Sequence, residues 1–170
     1  MNKEETASGF RKMQEEQKAW VLHNFGKRPA SQPCRGIVEE LGELDVAWEK
    51  DDHEEIRDAI ADTMIFVLDY CTSMDLDAGH VYLEADQPHG SPGSDISIAG
   101  ALCHYDLKKE QGIRDVKKED IESAVIDVVR RLLHYCSIRN HDLLLTTESV
   151  WSKVRLRDWK KDSAHAGVNA

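Results

Sequence analysis

Residues 59–71, AIADTMIFVLDYC, form an almost unbroken apolar run within a stretch that has no glycine or proline between 53 and 74. Such a run reads as a helix over 53–74. A helix that is apolar around most of its circumference has to be surrounded by other elements. No segment of the chain alternates with period two, so those elements are helices as well and the expected fold class is all-α. Asp62 stands inside the run. A carboxylate there is costly unless it is paired or holds a cation.

Helical periodicity also marks residues 8–24, with Phe10, Met13, Trp20 and Val21 on one side, and residues 35–50, with Ile37, Val38, Leu41, Leu44 and Trp48. Between them NFGKRPASQP, with Gly26, Pro29 and Pro33, reads as loop. Asp52 suits the N-cap of the 53–74 helix. Residues 84–95, rich in proline and glycine, read as a linker. Further helices are expected at 96–110, 118–140 and 146–160, the last with Thr147 as a cap.

The chain repeats itself. EEIRDAIADTMIFVLDYC (54–71) aligns with EDIESAVIDVVRRLLHYC (119–136), bringing Asp62 onto Asp127 and Tyr70-Cys71 onto Tyr135-Cys136. The preceding helices also align, Gly42-Glu43-Leu44 with Gly100-Ala101-Leu102. KEQGIRDVKK is a longer hairpin loop in the second copy. The expected architecture is one domain over 1–170. Two tandem helical hairpins, 35–74 and 96–140, form a pseudo-duplicated four-helix core, flanked by N- and C-terminal helices.

A chain of 170 residues buries a core without disulfides or structural zinc. Its cysteines, at 34, 71, 103 and 136, include no CxxC, and read as buried thiols of a reducing, cytoplasmic compartment. The net charge of −10 disfavours duplex nucleic acid. No apolar run reaches the roughly 20 residues of a membrane span. The polar N-terminus, MNKEETASGF, does not read as a signal peptide.

Nearly all of the charge excess lies between 36 and 62, with eleven acids against Lys50 and Arg57. Glu40 and Glu43 share a helix face with Glu39 beside them, and Asp58 and Asp62 share a face of the next helix. An antiparallel hairpin brings these faces together. Oxygen ligands without His or Cys suit Mg²⁺ or Mn²⁺. Asp45, Asp51, Asp52, Glu54 and Glu55 read as solvated surface. In the second copy Glu40 and Glu43 are replaced by Ile98 and Ala101. Asp127 is kept there, with Arg130 or Arg131 as its expected partner.

Residues 150–161 reverse the charge: Lys153, Arg155, Arg157, Lys160 and Lys161 against Asp158. Lys153 and Arg157, four residues apart, share a helical face suited to phosphate. Of the four tryptophans, Trp48 is nearest the acids and best placed to stack on a base, and Asn24 could read a base edge. No HExxH, ExxH di-iron, Ser/His/Asp or phosphate-loop motif is present.

GIVEELGEL followed by RDAIADTMIFVLDYC resembles the MazG-like members of the all-α nucleoside triphosphate pyrophosphatases, whose EExxE and ExxD motifs hold Mg²⁺. Glu39, Glu40 and Glu43 match the first motif and Asp62 the end of the second. Ala59 stands where the family has Glu, with Asp58 beside it as the substitute. The NFGKRPASQP loop and VWSKVRLRDWKK are similar to the same family, so the resemblance covers about 10–75 and 146–162. It implies a Mg²⁺-dependent hydrolase that takes a nucleoside triphosphate to the monophosphate and pyrophosphate. Glu40, Glu43, Asp58 and Asp62 would hold metal, and Glu39 or Glu43 would orient or deprotonate water. Lys153 and Arg157 would contact the triphosphate. The family's Asn in this helix falls at Trp151. Family members are homodimers or higher homo-oligomers, and the dimeric dUTPases show a comparable duplication. The alternative, motivated by Ala59 and the erased second copy, is a catalytically impaired nucleotide-binding or protein-interaction module.

Overall fold

Helix α3 (His53–Ser73) lies at the centre of the bundle, as its apolar circumference requires. Around it are α1 (Lys3–Phe25), α2 (Ser31–Glu49), α4 (Ala78–Ala85), α6 (Lys118–Arg139) and α7 (Leu143–Val154), while α5 (Asp95–Gln111) packs on α2 and α6. The computed structural model describes residues 2–87, 94–112 and 116–161; over these the protein is helical throughout, with no strand. One apolar core runs from Ala7 of α1 to Trp151 of α7. Among the described residues no helix is long and apolar enough to cross a membrane.

Local chemistry sets most helix ends. Asn2 and Glu5 form a reciprocal capping box at α1. Asp52 accepts from the Glu54 and Glu55 amides at 3.2 Å and starts α3 where expected. Gly112 and Asn140 adopt left-handed conformations that end α5 and α6.

Four boundaries differ from the sequence reading. Helix α1 begins at Lys3, five residues early. Helix α2 begins at Ser31, because Pro33 sits in its first turn, where a missing N–H costs nothing. Helix α4 was not anticipated. Its eight residues are too few to show a period, and it is held by tertiary bonds: Gln14 donates to the Leu76 carbonyl at 2.9 Å and accepts from the Ala78 amide at 3.0 Å. Helix α7 is capped by Asp142 at 2.9 Å, not by Thr147, whose buried hydroxyl donates to the Leu143 carbonyl within the helix. Residues 88–93 of the expected linker and 113–115 of the second hairpin loop lie outside the described residues.

The two hairpins, α2–α3 and α5–α6, pack side by side and exchange tyrosine hydrogen bonds. Tyr70 of the first donates to Asp106 on α5 at 3.2 Å. Tyr135 of the second, its repeat equivalent, donates to Asp45 on α2 at 3.4 Å and to Asp95 at 2.7 Å. Asp127 pairs with Arg130, one of its two expected partners. Arg131 takes Asp95 instead, at 2.7 Å.

Two glycines on α2 have opposite surroundings. A Cβ on Gly36 would meet the Phe66 ring at 2.5 Å, whereas one on Gly42 would meet nothing within 4 Å. Gly36→Ala should therefore destabilise the protein by about 1–3 kcal/mol. Gly42→Ala should stabilise it by about 0.5–1 kcal/mol through helix propensity. Urea denaturation of both variants checks the pairing of opposite signs, and equal signs would contradict the close α2–α3 approach at Phe66.

Candidate active site

Helices α2 and α3 run antiparallel, and the acidic faces meet one turn along from the tight contact of Gly36 with the Phe66 ring. Asp62 and Glu43 feel each other electrostatically, as do Glu40 and Asp62, and Glu39 and Asp58 join from the same two faces. Burial raises the Glu40 pKa to about 8, reinforced by Asp62, Glu43 and Glu39 in that order. Burial likewise raises Asp62 to about 6, with Asp58 and Glu43 adding to it. All five acids named from the sequence thus form one electrostatic cluster. Glu39, Glu43 and Asp58 are exposed, and Glu40 and Asp62 are half-buried. A groove of about 450 Å³ beside them is lined by Glu39, Glu43, Val46, Ala47 and Lys50, among others. That volume is within the range of small-molecule sites.

Ala59 is buried in the core, so its position cannot present a carboxylate to this cluster without leaving the interior. Asp58, one residue earlier, is the acid that faces Asp62. The cluster has the right donors for a hard cation: oxygen only, mutually repelling, and partly desolvated. Among the described residues no three His, Cys, Asp or Glu side chains already stand in an arrangement that holds a metal ion.

The basic segment divides. Helix α7 stops at Val154, so Lys153 and Arg157 do not share a helical face. After the stop, the Arg157 carbonyl accepts from Trp20 Nε1 at 3.0 Å, and the Trp159 amide donates to Asn24 Oδ1 at 2.8 Å. These bonds fold the segment back against α1 and bring the Arg157 cation to Asp62, where it opposes the upward shift. Lys153 is exposed on α7, and its side chain makes no hydrogen bond or ion pair among the described residues. Arg155 pairs with Glu16 at 3.3 Å and Lys161 with Asp158 at 3.1 Å, which leaves Arg157 as the base of this segment turned to the acids.

Two expected base contacts are committed elsewhere. Trp48 is held between hairpins, its ring 4.7 Å from that of Tyr135 and 4.5 Å from the Arg139 guanidinium carbon. It is an interface residue and not an open stacking platform. Asn24 lies in α1 and not in the loop. It is buried, and its amide also donates to the Trp20 carbonyl at 3.0 Å, so both ends are used structurally.

The sequence reading overlooked one polar pair. Asp69 lies seven residues beyond Asp62 on the same side of α3. It is buried and pairs with Arg28 from the α1–α2 loop, whose guanidinium also covers Phe25. The signal was available: Asp69, like Asp62, interrupts the apolar run and needs a partner.

The fold and the site define an all-α bundle that gathers carboxylates from two antiparallel helices, with one arginine acting on them. Residues 9–89 match the family model of phosphoribosyl-ATP pyrophosphohydrolase, and this segment is a domain of the all-α NTP pyrophosphatase (MazG-like) superfamily. The matched segment contains α2, α3 and α4 and ends before α5, so the second hairpin and α7 lie beyond it. No curated protein and no solved structure gives a significant match.

Because Glu40 and Asp62 titrate above the ordinary carboxylate range near pH 4, the folded protein binds protons that the unfolded chain has already released. Their contribution to stability therefore falls as pH rises, through about 6 for Asp62 and about 8 for Glu40. Urea denaturation of the metal-free protein should show declining stability across this window. Glu40→Gln should flatten the upper part of the decline. A profile identical to wild type in that variant would contradict the clustering.

Proposed function

We propose that this domain is a Mg²⁺-dependent nucleoside triphosphate pyrophosphohydrolase, with Mn²⁺ as a substitute. Water would break the α–β phosphoanhydride and release a nucleoside monophosphate and pyrophosphate. The observation that carries the reading is the cluster of Glu39, Glu40, Glu43, Asp58 and Asp62, destabilised by burial and mutual repulsion, with Arg157 at its edge. The match to a pyrophosphohydrolase family supports the same class of reaction.

Glu40, Glu43, Asp58 and Asp62 are the residues that would hold the cation. Bound there, it supplies neutralisation of phosphate charge and acidification of water. The exposed Glu43 and Asp58 make no hydrogen bond among the described residues and are free to turn inward. Glu39 or Glu43 would orient the attacking water and accept its proton. Arg157 would pair with a phosphate oxygen, since its charge already acts on Asp62, a carboxylate that would hold the cation. The burial and repulsion that raise Glu40 and Asp62 would be offset by the attraction of each carboxylate to the cation.

A phosphoribosyl-ATP, the substrate in the matched family's name, carries the same triphosphate as an ordinary nucleotide. The acid cluster therefore serves both, and the substrate is decided by what surrounds the base and sugar. Ala59 favours a second reading, in which a site short of one motif carboxylate binds nucleotide without turning it over.

Pyrophosphate release should be measured with Mg²⁺ across canonical and damaged (d)NTPs and phosphoribosyl-ATP, with EDTA as control. The proposal expects metal-dependent release from at least one. Metal-dependent binding with no release from any would favour the second reading. Glu40→Gln and Asp62→Asn should each lower turnover about 100-fold or more with helicity unchanged, since each removes a cation ligand. Wild-type turnover in both variants would sink the assignment.

Arg157→Ala should lower kcat/KM about 10–100-fold, the size of one lost charge-assisted hydrogen bond. Lys153→Ala should stay within about twofold, as expected for an exposed unpaired charge. The reverse ranking in steady-state kinetics would return the phosphate role to Lys153.

A further inference from the structure

The four cysteines differ in their surroundings. Cys71 and Cys136 are buried, and the charged groups acting on them are carboxylates, not thiols. Cys34 and Cys103 face each other. Cys34 is on α2, 3% exposed, and the Cys103 thiol of α5 is among the groups that act on its thiol. The helix packing agrees. Cys103 lines an apolar groove of about 330 Å³ between α2 and α5, together with Val38 and Leu41. Cys34 is one turn before Val38 on the same side of α2. The groove opens to solvent, and Cys103 is only partly buried, so one member of the pair is reachable and the other is sheltered behind it.

We propose that Cys34 and Cys103 are a modification site, forming a reversible, peroxide-responsive disulfide that ties the first hairpin to the second. Cys103 meets the oxidant. Its sulfur gives two electrons to a hydroperoxide, an S–O bond forms, the O–O bond breaks, and water or an alcohol leaves. The Cys34 sulfur then attacks the Cys103 sulfur; the S–S bond forms, the S–O bond breaks, and the sulfenic oxygen leaves as water. The Asp106 carboxylate, which faces Cys34 and lies one turn past Cys103 on α5, is placed to take the Cys34 proton. Burial and these same neighbours raise the Cys34 pKa, so it is held as a thiol and its proton has to be taken by a neighbour as it attacks. The bond would link α2, which carries Glu39, Glu40 and Glu43, to the hairpin that lacks the acids. A thiol reductant would reverse it.

The test uses the full chain treated with hydrogen peroxide, quenched by alkylation and mapped by mass spectrometry. The expected product is an intramolecular Cys34–Cys103 peptide, two hydrogens lighter than the reduced pair. Cys71 and Cys136 should remain alkylatable after unfolding, and dithiothreitol should restore the reduced protein. In Cys34→Ala, confirmed as folded by circular dichroism, Cys103 sulfenic acid should accumulate and react with dimedone, whereas the wild type consumes it. Cys103→Ser, at a partly exposed position, should abolish the linked peptide and the dimedone adduct without depending on core packing. The proposal fails if wild type and Cys34→Ala accumulate the same Cys103 adduct. It also fails if the only disulfide is a Cys103–Cys103 link between two chains.

Discussion

Helix α3 is packed upon by α1, α2, α4, α6 and α7, so every polar group on its surface has to be satisfied by a neighbour. Thr63 is satisfied within the helix by the Ala59 carbonyl, and three other polar residues each meet a different element. Asp69 pairs with Arg28 from the α1–α2 loop, Tyr70 bonds Asp106 of α5, and Asp62 feels the Arg157 charge from beyond α7. The loop, the second hairpin and the C-terminal segment are thereby located by the needs of one helix. The apolar remainder of α3 supplies the burial that makes these needs costly to leave unmet.

The tyrosine exchange extends this logic to the internal repeat. Tyr70 reaches across to α5, and Tyr135 reaches back to α2 and to Asp95, so each hairpin is tied through its own second helix to the other's first. The repeat has diverged in chemistry while keeping its packing role. Asp62 and Asp127 occupy equivalent positions, yet Asp127 is neutralised by its helical neighbour Arg130, and Asp62 faces a cluster of like charge. The second hairpin behaves as scaffold for the first. The disulfide proposed between Cys34 and Cys103 would act at the same hairpin–hairpin contact.

That the acid cluster is held at all means packing elsewhere outweighs its repulsion. Glu40 and Asp62 are kept half-buried by the α2–α3 approach at Gly36 and Phe66. In the proposed function a cation would relieve energy that folding has already stored in this cluster. Arg157, unlike Arg155 and Lys161, is not engaged by a surface acid, and its segment is directed inward by bonds to Trp20 and, two residues on, Asn24.

Much of this was legible in the amino-acid order. The all-α class, the centrality of 53–74, the Asp52 cap and the grouping of Glu39, Glu40, Glu43, Asp58 and Asp62 follow from periodicity and spacing, which act within a turn or two of helix. The residues misjudged were those whose partners are remote. Trp48 and Asn24 looked available because their remote partners are invisible in the local sequence: Tyr135 and Arg139 hold the first, and Trp159 the second. Lys153 and Arg157 looked equivalent because VWSKVRLRDWKK contains no helix breaker, and only the bonds from α1 end α7 at Val154. Helix α4 is too short to show a period and exists because Gln14 and the core hold it. The sequence by itself therefore determined which faces must be buried and which charges must meet, since these depend on local geometry. The tertiary structure decided which side chains remain free for a ligand, since that depends on contacts between residues far apart in the chain.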